Sequence, residues 1–326
     1  MLPIDIFNDA QVSERLKKLK SQHSLEEPKD KQGHYLLATK LLKATAQRPF
    51  LVGGIDLSEI IGSKNTFICG YTVYAVTHGT TEGRPNLMKV YSDARKFITQ
   101  VPYRPGFLGF KESGPMVNMV QFQISSRPSF KPDVILIDGN GILHPKKFGS
   151  ACHVGVALGI PTIGVGKSMH FYPALIQKRR GLKEYLERMA SKLENPQDKI
   201  LIENEFDETV GVMFCPNVAF IGKPLYISQG HKVSLDTAVQ IVEKCIRSDN
   251  RRLPEPIFDA DLLSRKMAAE LSGNGVENWT KFVRYHRELD TKEKAFWVRQ
   301  YEERNRKFQK NNSYRNHTLN GRNRNY

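Results

Sequence analysis

The chain is 326 residues long and 40% hydrophobic, with Lys+Arg 49 against Asp+Glu 34, a net charge of +15. That length supports one large core or two modest ones, and no apolar run approaches the roughly 18 residues a membrane helix needs. The short apolar runs speak against a membrane-spanning protein, and the basic balance favours a polyanionic partner, nucleic acid first.

The opening "MLPIDIFNDA" carries an early Asp and no basic-then-apolar pattern, so no secretory leader is expected. "AQVSERLKKLK" reads as a helix packed at the periphery of the fold. "RPFLVGGIDLS" (48–58) reads as a loop feeding a strand that ends near Asp56. "NTFICGYTVYAVTH" (65–78) is rich in β-formers, and "NLMKVYSDARKFITQ" (86–100) is a plausible antiparallel partner. A Pro- and Gly-rich loop (101–115) follows. "MVNMVQFQI" (116–124) then spaces its apolar residues as a helix, with Pro115 in the first turn.

After that the rhythm becomes strand and helix in alternation. "DVILID" (133–138) is a short buried strand, "HPKKFGSACHVGVALG" (144–159) a helix with Pro near its start, and "PTIGVGK" (161–167) another strand. A charged interval (177–199) looks like a helical insertion. "ETVGVMFC" (208–215) and "KPLYISQGH" (223–231) are further strands, "SLDTAVQIVEKCI" (234–246) is a helix capped by Ser234, and 252–271 is the last helix. Three successive strands followed by strand–helix alternation is the order of a mixed sheet, an antiparallel meander followed by parallel crossovers. From Arg304 to Tyr326 there are seven Lys/Arg and no acid, in an Asn-rich setting that predicts a disordered basic tail. The expected division is a helical segment over 1–45, a catalytic domain over 46–270 and a polar extension over 271–326, disordered after 303.

Four scattered cysteines, Cys69, Cys152, Cys215 and Cys245, form no CxxC pair. They read as reduced thiols of a cytosolic or nuclear protein, ahead of zinc or disulfide chemistry. In mixed sheets, sites form at the carboxyl ends of strands. Asp56 follows the first strand and Asp138 ends the fourth. If those strands are neighbours, the two carboxylates stand one strand spacing apart, about 5 Å. Glu112, just before the next helix, could complete the set. Three acids with few imidazoles suit Mg²⁺ or Mn²⁺ rather than zinc. Either aspartate alone also reads as a turn or cap residue.

Six segments in register narrow the choice: "GGIDLS" (53–58), "PYRPGFLGFKE" (102–112), "DGNGILHPKKFGSACHVG" (138–155), "PTIGVGK" (161–167), "PLYISQGHKVSLDTA" (224–238) and "LPEPIFDAD" (253–261). Together they resemble the endonuclease V family, nucleases specific for inosine, over roughly residues 40 to 270, and "DGNG…ACHVG" resembles its eukaryotic branch. The resemblance implies an α/β, RNase H-like fold: a mixed five-stranded sheet flanked by helices. It implies that Asp56, Glu112 and Asp138 hold a metal ion, that His231 is the catalytic histidine, and that Lys167 lies near the scissile phosphate. His144 matches the family's "HP" step, and Lys146 and Lys147 are candidate phosphate contacts. His153 reads as a packing or hydrogen-bonding residue.

The same resemblance makes 102–110 a wedge loop. Tyr103, with Pro105 beside it, would fill the gap left by a flipped nucleotide, and the base would sit near Gly106, Leu108 and Gly139. Lys111 replaces the family's usual Arg, Gly166 its usual Ala, and Arg104 adds a cation to the wedge. The implied reaction is metal-dependent hydrolysis at the second phosphodiester 3′ of inosine, leaving 5′-phosphate and 3′-hydroxyl ends. Single-stranded RNA is the favoured substrate and deoxyinosine DNA the second. The chain is expected to act as a monomer in the cytoplasm, with the nucleus or nucleolus open. A non-cleaving reader of inosine-modified strands and an RNase H-like nuclease without base specificity are the competing readings.

Overall fold

A computed structural model describes residues 9–60, 65–78, 86–102, 107–169, 187–204, 207–247 and 251–271. Its strands are β1 (Phe50–Glu59), β2 (Thr66–Thr77), β3 (Asn86–Ile98), β4 (Val134–Asp138), β5 (Thr162–Gly166), β6 (Lys199–Glu203), β7 (Thr209–Phe214) and β8 (Leu225–His231). They form one sheet in the order β3-β2-β1-β4-β5-β8-β7-β6. The first five are the expected mixed RNase H-like core: β3, β2 and β1 pair antiparallel, while β1, β4 and β5 run parallel. Beyond β5 the sheet continues through three antiparallel strands.

The helices are α1 (Asp9–Gln22), α2 (Leu36–Leu42), α3 (Leu108–Ser126), α4 (Ser150–Leu158), α5 (Leu235–Lys244) and α6 (Glu255–Leu271). They cover both faces of the sheet. One face carries the main core, where Phe50, Val52, Leu136, Val165 and Ile227 meet Ile241, Val242 and Ile257. On the other face lie α3 and α4, with Tyr71 Oη donating to Gln123 Oε1 at 3.4 Å. β2 is buried along its whole length because it is covered on both sides. The N-terminal segment joins this packing: Leu16 of α1 lies with Ile142, Phe148 and Cys152, and Leu37 and Leu41 of α2 enter the main core. Buried Glu27 ties the segment down. Its Oε1 accepts the N–H groups of Leu37 and Ala38, and its Oε2 accepts from Ser234, which itself caps α5.

Two glycines set the height of α6. A Cβ on Gly54 would stand 2.1 Å from the carbonyl carbon of Pro256, and one on Gly70 would stand 2.0 Å from the Ala260 oxygen. Their bare backbones let α6 lie flush on β1 and β2, and Thr72 Oγ1 donates to the Pro256 carbonyl at 2.8 Å.

Several boundaries differ from the sequence expectation. α3 begins at Leu108, so Pro115 lies inside the helix and Glu112 lies on it, not before it. Proline forfeits one backbone hydrogen bond there, but Met116, Met119 and Val120 are buried and hold the helix against the sheet. α4 begins only at Ser150, after Gly149, and "HPKK" is a turn in which Lys147 takes φ 48. β6 and the seven-residue α2 were not expected. The first part of the charged interval, 177–186, and the tail from 272 lie outside the described residues.

Candidate active site

The carboxyl ends of β1 and β4 lie side by side, as parallel neighbours should. Asp56, Asp138 and Asp261 each offer a carboxylate oxygen, and the three oxygens lie within 4.8 Å of one another. Asp261 comes from α6, so its position depends on the glycine-seated contact described above. Ser264, one turn along the same helix, donates from Oγ to Asp56 Oδ2 at 2.9 Å. Lys167, just past β5, reaches across with Nζ 2.5 Å from Asp138 Oδ2 and 3.1 Å from Asp261 Oδ1. Arg265 also meets Asp261 Oδ1, at 2.8 Å.

These residues border a cavity of about 400 Å³ that is also lined by Leu108, Glu112, Gly139, Asn140, His144 and Ser150. Glu112 enters from α3, on the far side from Asp261, and its Oε2 accepts from Ser150 Oγ at 3.0 Å. Burial pushes its carboxyl up to about 7, and the nearby Asp138 charge adds to the rise against the Ser150 hydrogen bond. Asp56 is held well above the ordinary aspartate range by burial and then by Asp138. Burial works against the charge on Lys167, but Asp138, Asp261 and Asp56 outweigh it and raise its pKa.

An all-oxygen set of three crowded carboxylates is the donor chemistry of a hard divalent cation. The residues therefore fit such an ion, with Asp56, Asp138 and Asp261 as its holders and Glu112 within the same cavity. Asp261 is the member that sequence reasoning missed. Its signal was present in "LPEPIFDAD", where an acid sits three residues before Ser264 on the helix face that packs on β1.

Of the other expected residues, Leu108, Gly139, His144 and Lys167 line the cavity. Lys146 is exposed beside it. Lys147 turns away to an exposed ion pair with Glu208 at 2.9 Å. Tyr103, Pro105 and Gly106, with Arg104, lie outside the described residues. Lys111 is buried, with Nζ 4.9 Å over the Phe67 ring and 3.7 Å from Glu59, a place that needs no planar fork. Gly166 leaves room for Asn140: a Cβ there would stand 2.9 Å from Asn140 Oδ1, a buried acceptor without a hydrogen-bond partner among the described residues.

His231 is a correction. It pairs with Thr162 at the start of β5, whereas Asp138 pairs with Val165. Three residues of strand, about 10 Å, therefore separate it from the carboxylates. Its side chain is buried, its Nδ1 accepts the Ser24 N–H at 3.3 Å, and its ring stacks on His23 at 5.7 Å. Burial lowers its pKa to about 4, so at neutral pH it is an uncharged packing residue away from the cavity. His153 behaves as expected, packed edge-on between Phe110 and Phe148.

A mixed RNase H-like sheet with carboxylates and a lysine gathered at its parallel strand ends defines an acidic centre of the kind that binds a divalent ion. The family profile for Endonuclease V matches residues 37–262, and the chain belongs to that family of endonucleases. It is 36% identical to mouse endonuclease V over 215 residues, covering 66% of this chain and 59% of the mouse protein. It is 33% identical to the human protein, covering 66% and 70%. The crystal structure of the catalytic domain of human endonuclease V superposes with a TM-score of 0.67 at 26% identity, over 82% of this chain and 98% of that one. Endonuclease V of Ciona intestinalis, in complex with a 24mer DNA containing an inosine followed by a ribo-adenosine, gives 0.62 at 26% identity, over 81% and 100%.

Proposed function

We propose that the chain is a metal-dependent endonuclease directed to inosine, acting on single-stranded RNA in preference to DNA. The observation that carries the reading is the convergence of Asp56, Asp138 and Asp261 beside Lys167 in one cavity. Mg²⁺ is the proposed ion, with Mn²⁺ as substitute. When bound, such an ion lowers the pKa of a water and draws charge from phosphoryl oxygens.

The chain's own residues supply the rest. With a cation held by Asp56, Asp138 and Asp261, the Lys167 ammonium, which now pairs with Asp138 and Asp261, would be free to neutralise a non-bridging oxygen of the scissile phosphate. The attacking water needs an acceptor for its proton inside the cavity. His231 is elsewhere, and we assign this task to Glu112, which lines the same cavity from α3 and is oriented by the Ser150 hydroxyl at 3.0 Å. Hydrolysis at the second phosphodiester 3′ of inosine would leave 5′-phosphate and 3′-hydroxyl ends. Leu108 and Gly139 are proposed to contact the displaced base, Tyr103, Pro105 and Gly106 to wedge the strand, and His144 and Lys146 to meet phosphate.

Hypoxanthine presents an acceptor O6 and a donor N1–H, the reverse of adenine, so fixed backbone groups can discriminate between them. The ribo-adenosine after inosine in the Ciona complex supports a ribose on the 3′ side of the modified base. Four buried free cysteines suit a reducing compartment, and we propose the cytoplasm, with the nucleus second. A monomer is proposed.

The test compares matched RNA and DNA strands carrying one inosine or none, at fixed salt, with Mg²⁺, Mn²⁺ or chelator. Metal-dependent cutting of the inosine RNA ahead of its DNA and inosine-free counterparts is expected. Binding without cutting would favour a reader, and equal cutting with and without inosine would favour an unspecific nuclease.

A further inference from the structure

Outside the cavity, a run of cations and aromatic rings leads from the cavity rim to α1. It starts at His144, which lines the cavity and whose Nδ1 accepts the Lys146 N–H at 3.2 Å. Lys146 Nζ stands 5.3 Å over the Phe107 ring. Phe107 and Phe110 lie 6.2 Å apart, and the Arg15 guanidinium stands 5.9 Å over Phe110. Lys20 follows one and a half turns along α1, and Lys146 and Lys147 are close enough to add to the effect of burial in lowering its pKa.

Arg15, Lys20 and Lys146 are exposed, and none is ion-paired among the described residues. Lys147, by contrast, is spent on Glu208. Like charges brought together without acids repel, and here apolar packing of Leu16 against Phe148 and Cys152 holds α1 in place despite it. An ordinary solvated helix face would not need its cations to meet half-buried rings whose chain neighbours Leu108 and Gly109 line the cavity.

We infer that Arg15, Lys20 and Lys146, interleaved with Phe107 and Phe110, form a track for the backbone and bases of a single-stranded nucleic acid beyond the cavity. Cations neutralise successive phosphates and rings offer faces for stacking, a combination that binds single strands without regard to sequence. α1 precedes the stretch matched by the family profile, so the track adds affinity rather than chemistry. The inference rests on the nuclease reading for what occupies the cavity.

The test uses the full chain, labelled 24-nucleotide RNAs with and without a central inosine, and an inosine hexamer. Binding is measured between 50 and 200 mM salt for the wild type, Arg15→Ala/Lys20→Ala and the charge-preserving Arg15→Lys/Lys20→Arg. Loss of two phosphate contacts should weaken 24-mer binding about tenfold and flatten the log–log salt slope by about 1.4. The loss should be equal for both 24-mers, with hexamer cleavage unchanged and the charge-preserving variant like the wild type. An unchanged 24-mer slope, or an equal loss in the charge-preserving variant, overturns the track. Failure of the inosine reading would show separately, as wild-type cleavage indifferent to inosine, and would leave the salt slopes where they are.

Discussion

Lys167 holds its ammonium 2.5 Å from Asp138 Oδ2, occupying charge that a metal ion would otherwise neutralise. Lysine and metal therefore compete for the same carboxylate. Lys167→Met should bind Mn²⁺ more tightly, seen as a larger Mn²⁺-induced rise in Tm than in the wild type. Cleavage should fall about 100-fold or more, because a cation facing the phosphate is lost. A variant that keeps its rate, or shows a smaller Tm response to Mn²⁺ than the wild type, would contradict this arrangement.

Asp261 is held in the same cluster from α6, so its removal should resemble removal of Asp56. Asp56→Asn and Asp261→Asn should each lower the cleavage rate by at least about 100-fold and diminish the Mn²⁺-induced Tm rise. Without added metal, Asp56→Asn should be more stable than the wild type, because it relieves repulsion among three crowded carboxylates. Thermal unfolding in chelator checks this, and a lower Tm for Asp56→Asn would argue that the cluster is not strained by its own charge.

The seat of α6 can be tested without touching an acid. Gly54→Ala puts a methyl where the Pro256 backbone already lies, and overpacking of this kind costs about 1–3 kcal/mol. The displaced helix carries Asp261 with it. We expect a lower urea midpoint and a rate loss that Mn²⁺ in excess partly restores. A Gly54→Ala variant with wild-type stability would mean that α6 yields at no cost.

His231→Gln should leave cleavage within a few fold of wild type while lowering stability, because the ring stacks on His23 away from the cavity. A 100-fold loss of rate at unchanged Tm would restore the catalytic role implied by family resemblance. Glu112→Gln, by contrast, should lose cleavage at unchanged fold.

The parallel part of the fold was readable because its signals are local. Each buried run ends on an acid or a turn, and Asp56 and Asp138 meet because β1 and β4 are parallel neighbours. The same rule misdirects at His231. It too ends a strand, but β8 runs antiparallel to β5, so its carboxyl end lies at the opposite edge of the sheet. Strand direction is a property of the whole topology and leaves no mark in "SQGH". Asp261 was hidden for a related reason: an acid within an amphipathic helix looks solvated until the bare backbones of Gly54 and Gly70 show how closely that helix approaches the sheet. β6, "KILIE", and α2, "LLATKLL", are too short to stand out from their flanks.

His153 gives the acid-stability prediction. Burial, then His144 and Arg15, lower its pKa to about 3 in the folded chain, against an ordinary value of 6.5. The unfolded chain therefore binds the extra proton first as pH falls. This contribution to stability is complete above pH 6.5 and is lost progressively toward pH 3, with about 2 kcal/mol of it gone by pH 5. His231, at about 4, and His23, lowered chiefly by burial, act in the same direction, whereas the raised Glu112 and Asp56 act against it. Comparing the wild type with His153→Gln isolates one group from this sum. Urea midpoints at pH 7.5 and 5.0 should fall less in the variant than in the wild type. Equal falls in both would show that the histidine packed between Phe110 and Phe148 is not a proton-linked element of the fold.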